Sequence, residues 1–204
     1  MTIDHLVYGA PDLAAAVDDL AARFGVRAQP GGKHHGIGTR NALLALGPRT
    51  YLEVLAPDPD QPPPSNPRPF GIDELTSPRL VGWAVGCDDI DTAIAGARAA
   101  GYDPGDAIEM TRTGATGTVL RWRLTLNANA GGPVPFLIAW GHTEHPATTS
   151  PQGLALEAFE VEHPDPESLA ATLRALGADV DVKPATWTAL VAHVRGRTRT
   201  EELR

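Results

Sequence analysis

Three stretches of the chain carry apolar residues at helical spacing. Leu13, Val17, Leu20 and Phe24 form one stripe, Ile90, Ala93, Ile94 and Ala97 a second, and Leu169, Leu173 and Leu176 a third. Ahead of each lies a run with strand character: Ile3 to Tyr8, Leu80 to Val85 and Leu154 to Glu162. Between run and stripe stands an acid, Asp12, Asp89 or Asp165, where an N-cap or first-turn carboxylate belongs. After each stripe comes a glycine, at positions 25, 101 and 177, so the pattern recurs every 76 residues. Glycine after a helix closes it in the left-handed region, which gives the recurrence a physical cause.

Strand patterns follow each stripe. They cover Asn41 to Leu46 and Tyr51 to Leu55, then Ala107 to Met110, Thr118 to Asn127 and Pro135 to Trp140. The last are Val180 to Val182, Ala189 to Val194 and a short tail to Leu203. Each unit reads βαβββ, so the sequence predicts an α+β fold of repeated units. Unit one spans 1–57, a proline-rich linker 58–78, unit two 79–140 and a partial third unit 153–204, all in one compact domain. Pro57 to Pro67, Asn127 to Pro133 and Gly141 to Gly153 read as loops.

Composition narrows the function. The chain has 204 residues, of which 42% are hydrophobic, enough for a core without staples. With 25 acidic against 17 basic residues the net charge is −8, which speaks against nucleic acid as partner. A single cysteine, Cys87, leaves no disulfide framework and no multi-cysteine zinc site, and the acids Asp88 and Asp89 beside it speak against a nucleophile. No apolar run is long enough to span a membrane, and Met1 to His5 lacks a basic region followed by an apolar one; the expected location is cytoplasmic. There is no Gly-x-Ser-x-Gly elbow. Gly31 to Thr39 is glycine-rich without the ending of a phosphate loop, and is expected to be a mobile loop over a pocket.

The opening Ile3-Asp4-His5-Leu6-Val7-Tyr8-Gly9-Ala10-Pro11-Asp12-Leu13 and the segment Tyr51-Leu52-Glu53-Val54-Leu55-Ala56-Pro57 resemble the first and fourth strands of the vicinal oxygen chelate superfamily. That superfamily includes glyoxalase I, extradiol dioxygenases and bleomycin-resistance proteins. Pro30-Gly31-Gly32-Lys33-His34, Gly36 to Leu43, Leu120-Arg121-Trp122-Arg123 and Pro135 to Trp140 resemble a glyoxalase-like subgroup within it. The resemblance spans essentially the whole chain. It implies curved mixed sheets forming a half-barrel around a divalent metal (Fe, Mn, Ni or Zn) held by first- and fourth-strand residues.

Carried onto this sequence, the ligand positions of unit one are His5 and Glu53. Those of unit two fall on Val81 or Gly82 and on Ile138 or Ala139, none of which ligates through its side chain. Shifting unit one by 152 residues sets Glu157 opposite His5, which makes His5, Glu53 and Glu157 a candidate facial set. Each has a plainer reading: a hydrogen-bonded core histidine, a buried carboxylate paired with an arginine, and a solvent-facing acid. His34 is the candidate catalytic base, or an exposed loop residue. Asn41 orients a substrate carbonyl or caps a turn, and Trp140 and His145 line the pocket by resemblance. Two functions follow. One is a small-molecule metalloenzyme with lyase, isomerase or dioxygenase chemistry on vicinal oxygens; the other is a metal-free protein that sequesters a small molecule. A homodimer is compatible with either.

Overall fold

The three apolar stripes form helices, and the acid ahead of each caps it. Asp12 accepts the Ala15 amide at 2.9 Å to open α1 (Leu13–Phe24), and Asp89 accepts the Asp91 and Thr92 amides ahead of α2 (Ile90–Ala99). A one-turn helix α3 (Pro146–Thr149) precedes α4 (Pro166–Ala175), which Asp165 caps through the Ser168 amide. Gly25, Gly101 and Gly177 take φ of 74°, 92° and 66°, the left-handed closure expected of them. The computed structural model describes residues 1–113, 119–126 and 131–204. Thr118 and Asn127 of the expected strand, and Asn127 to Ala130 of the expected loop, lie outside them.

Eight strands form one mixed sheet: β1 (Thr2–Gly9), β2 (Gln29–His34), β3 (Thr39–Gly47), β4 (Thr50–Pro57), β5 (Arg79–Gly86), β6 (Ala107–Thr113), β7 (Val119–Thr125) and β8 (Phe136–Ala139). Their order is β2-β3-β4-β1-β5-β8-β7-β6. β1 runs parallel to β4 and β5 parallel to β8, while β1 and β5 meet antiparallel at the centre. Two βαβββ segments thus pair about a pseudo-two-fold, and the sheet curls until its far strands approach. Arg112 on β6 donates to Asn41 on β3 at 2.9 Å. This is the α+β half-barrel.

Strand alternation sorts the side chains. Leu6, Leu44, Leu52, Val54, Trp83, Val85 and Leu137 join the helices in the main core, on the convex side. Val7, Leu55, Ala84, Leu124, Phe136 and Ile138 form a smaller cluster on the concave side, where a cleft opens.

The third segment departs from what the recurrence suggests. β9 (Ala155–His163), β10 (Asp181–Pro184), β11 (Ala189–Arg195) and β12 (Thr200–Leu203) form their own sheet in the order β10-β9-β11-β12. The chain order is again βαβββ, but β9 sits inside the sheet, parallel to β10 and antiparallel to β11. This sheet does not extend the half-barrel; it backs it. Phe159 packs on Trp83 with ring centroids 5.0 Å apart, and the Leu80 amide donates to the Arg204 carbonyl at 2.8 Å.

A second departure is β2. The glycine-rich stretch expected to be a loop is a strand as far as His34, with only positions 35–38 forming a turn. Gly31 serves close packing. A Cβ on Gly31 would collide with Asn41 Oδ1 and lie 2.6 Å from Arg112 Nη1. No helix among the described residues is long and apolar enough to cross a membrane.

Trp83 is fully buried between the two sheets, and its indole N–H donates to the Pro133 carbonyl at 3.2 Å. Trp83→Ala should cost about 3–5 kcal/mol in urea unfolding, the usual scale for a large core truncation. A loss below about 1 kcal/mol would show that the sheets do not depend on one another there.

Candidate active site

Alternation along β1 and β4 turns His5, Tyr51 and Glu53 into the concave cleft. Between Ile3 and His5 the pairing of β1 with β5 shifts register, which makes Asp4 a bulge residue. A bulge re-aims a side chain. Here it lets Asp4 Oδ1 accept from His5 Nδ1 at 2.7 Å. Asp4 is 3% exposed, and its Oδ2 accepts from Trp140 Nε1 and His145 Nε2, each at 3.0 Å. His145 Nδ1 accepts the Ala147 amide at 3.2 Å, which assigns the remaining proton to Nε2. Gly86 leaves room for the carboxylate, since a Cβ there would come within 3.2 Å of Asp4 Oδ2. Burial alone would push the Asp4 carboxyl up, but the hydrogen bonds from His145 and His5 outweigh it and hold it at about 2.

With Nδ1 committed to Asp4, His5 presents Nε2 to Glu53 Oε2 at 3.7 Å. The imidazole stacks on Tyr51 at 4.6 Å between centroids and meets Phe136 edge-on at 5.4 Å. Burial raises the Tyr51 phenol well above its ordinary value, with Asp4 and Glu53 adding to the effect, so it stays protonated.

Glu53 Oε1 accepts from Asn41 Nδ2 at 2.5 Å. Asn41 Oδ1 accepts from the Gly32 amide and from Arg112 Nη1, both at 2.9 Å, which fixes the orientation of its amide. His34 Nδ1 bonds to Thr39 Oγ1 at 2.9 Å, and its Nε2 lies 3.9 Å from Glu53 Oε1. Burial lowers the His34 pKa; Glu53 opposes the shift and Arg112 supports it. His34 is therefore neutral at neutral pH.

The structure brings His5, His34, Asn41, Glu53 and Trp140 together along one cleft. His145 stands behind Asp4 rather than on the lining, 7% exposed. Glu157 is elsewhere: on β9 of the second sheet its side chain is 41% exposed and pairs with Arg195 at 2.8 Å. The shift by 152 residues assumed that the third segment pairs its strands like the first, and it does not. Cys87 is pushed up to about 11 by burial and by Asp88 and Asp89, in line with the expectation that it is no nucleophile. Three residues were not singled out from sequence: Asp4, Arg112 and Phe70. Phe70 reaches the cleft from a 3-10 turn over Pro69–Glu74, with a left-handed φ of 63°.

A divalent ion does not fit these donors. Between His34 Nε2 and Glu53 Oε1 sits the Asn41 NH2 group, 3.4 Å from one and 2.5 Å from the other, a hydrogen-bond donor where a ligand would be needed. His5 and Glu53 remain, and the facing half presents Phe136 and Ile138. Among the described residues no three or more His, Cys, Asp or Glu side chains are arranged so that they could hold a metal ion together. Two donors are too few for Fe, Mn, Ni or Zn.

A family model described as a glyoxalase-like domain matches residues 3–177. Among solved structures, a hypothetical protein from Staphylococcus aureus is similar with a TM-score of 0.63 at 14% identity, covering 92% of this chain and 87% of that one. That likeness shows the fold alone. A Streptomyces coelicolor methylmalonyl-CoA epimerase in complex with 2-nitronate-propionyl-CoA gives a TM-score of 0.47 at 20% identity, with 71% and 97% covered. The Mycobacterium tuberculosis methylmalonyl-CoA epimerase gives 0.45 at 17% identity, with 72% and 91% covered. A search of curated proteins finds no match.

A carboxyl held at about 2 in the folded protein stabilises the fold above its unfolded pKa, and the contribution is lost as pH falls through the folded value. Asp4→Asn should therefore cost about 2 kcal/mol at pH 7. The gap to the native chain should close between pH about 4 and about 2, measured by urea unfolding across that range. Equal stabilities at pH 7 would show that the three N–H donors do not favour the ionised form.

Proposed function

On the premise that the chain belongs to the glyoxalase-like domain family, we propose that it is a small-molecule enzyme, a lyase or isomerase. Its task is to move a proton to or from a substrate carbon beside a carbonyl or carboxyl group. The observation that carries this reading is the geometry of His5: Asp4 holds one nitrogen at 2.7 Å while the other faces Glu53 at 3.7 Å inside an apolar cleft.

The roles follow from the contacts. Asp4 keeps the proton on Nδ1, which leaves the Nε2 lone pair of His5 free to act as base. The charge that develops on the imidazole lies between two carboxylates, Asp4 and Glu53. Glu53 is the second proton carrier, and Asn41 fixes its orientation. Neutral His34, whose Nε2 faces the Asn41 NH2 group and lies 3.9 Å from Glu53 Oε1, acts as an acceptor beside that carboxyl; in this reading the proton taken by His5 passes to Glu53, which returns it to the substrate. Tyr51 and Phe136 hold the His5 ring in place. The proposal keeps the isomerase and lyase chemistry implied by the family. It leaves aside the dioxygenase branch, which needs a metal these donors do not fit.

The apolar wall of Trp122, Leu124, Phe136 and Ile138 favours a second reading, a metal-free binding protein. Exchange in deuterium oxide separates the two. With a panel of 2-oxo and 2-hydroxy carboxylates, the native protein should catalyse loss of the proton beside the carbonyl or carboxyl group, followed by NMR. Glu53→Gln, and His5→Gln, which keeps a donor within reach of Asp4, should slow exchange by about 100-fold or more with the fold intact. Binding without exchange across the panel would favour sequestration.

A further inference from the structure

Arg112 is the cation of the cleft that this chemistry leaves unused. It belongs to β6, is 6% exposed, and lines the concave side. Its Nη1 donates to the neutral amide oxygen of Asn41, and its Nε is buried without a hydrogen-bond partner. Glu53, in the same cleft, directs its oxygens to Asn41, His5 and His34 instead. Among the described residues lining the cleft, Arg112 is the one lysine or arginine. A guanidinium removed from water and not neutralised by a carboxylate is costly, and an incoming anion offsets that cost.

The surroundings define the rest of that anion. Phe70, Met110, Trp122, Leu124 and Phe136 form the walls. Phe70 is held firmly despite its left-handed backbone. A Cβ on Gly82 or on Gly131 would lie 3.0 Å from its ring, so both glycines form the socket that receives it. Strain of this kind persists where the surroundings enforce it, often at ligand sites. The Phe70 and Phe136 rings stand 5.9 Å apart and tilted, and Trp122 and Trp140 lie 5.4 Å apart.

We infer that the cleft takes a monocarboxylate with an aromatic or otherwise flat apolar body, the carboxylate on Arg112 and the body against Phe70, Phe136 and Trp122. This identifies the substrate class of the site proposed above and rests on that reading only for the claim that binding leads to chemistry. A single planar fork suits a carboxylate, which it meets with two parallel N–H donors. One cation in an apolar cleft does not suit a phosphate.

The test uses phenylacetate, its neutral amide phenylacetamide, and acetate, with the native protein and no turnover. Binding is read by calorimetry and by the fluorescence of the tryptophans at the cleft. Phenylacetate should bind at least about tenfold more tightly than either of the others, the effect of one charge-assisted contact. Equal binding of the amide would overturn the charge requirement, equal binding of acetate the flat apolar body, and no binding of any of the three the whole inference. Arg112→Gln should weaken phenylacetate about tenfold and leave phenylacetamide within about twofold. A preference unchanged in that variant would remove Arg112 from the site. Arg112 also ties β6 to β3, so the ranking by the native protein decides the matter if the variant fails to fold. Carboxylate preference without proton exchange would leave this inference standing and end the acid–base proposal. Exchange on neutral substrates would do the reverse.

Discussion

A buried carboxylate, Asp4, sets the geometry on which the site depends. It accepts three N–H groups from three parts of the chain: His5 on β1, Trp140 just after β8, and His145 ahead of α3. An ionised carboxylate is an acceptor only, so it dictates where the protons of both imidazoles lie. It also joins the two halves of the barrel at their centre. The bulge in β1 and the missing side chain at Gly86 are the backbone conditions for placing it there. Without them His5 would be an ordinary strand residue with no fixed tautomer.

The rest of the cleft is a seam between unlike halves. The pseudo-two-fold is strong in the backbone and absent in the chemistry. Where the first half shows His5 and Glu53, the second half shows Phe136 and Ile138. Its polar contribution comes instead from Arg112 on β6, linked through Asn41 to Glu53 in a chain of hydrogen bonds 2.9 and 2.5 Å long. That chain draws the far strands of the sheet together, so closure of the barrel and the setting of Glu53 have one cause. The second sheet takes no part in the cleft; it covers apolar side chains on the convex face that would otherwise meet water.

Much of the fold was legible because its signals are local. Asp12, Asp89 and Asp165 cap helices, and the glycines at 25, 101 and 177 close them, for reasons each short segment carries within itself. The strand β2 was not legible. Gly31 and Gly32 look like loop residues until Asn41 and Arg112 are seen lying against the backbone. The proximity of His5 and Glu53 followed from the family resemblance, which set them on the first and fourth strands of a βαβββ unit. Asp4 was hidden by the rule of alternation, which sends neighbours to opposite faces and which the bulge breaks. A signal was nonetheless present, since an acid between Ile3 and Leu6 in a buried strand must find donors. Arg112 lay beyond Met110, where the apolar pattern of its strand ends. Glu157 misled because the spacing recurs along the chain while the strand pairing does not, and pairing is decided by contacts distant in sequence.

The unlike halves bear on stereochemistry. Two equivalent repeats would offer a ligand two equivalent ways to lie between them. Here the cationic fork, the imidazole with its carboxylate and the aromatic wall occupy three separate places that do not exchange under the pseudo-two-fold. A molecule touching all three has one permitted orientation, and only one of its two faces looks toward His5 Nε2. The proton transfer proposed above, at a trigonal carbon held this way, would then be enantioselective, a handedness set by the divergence of a duplicated sheet.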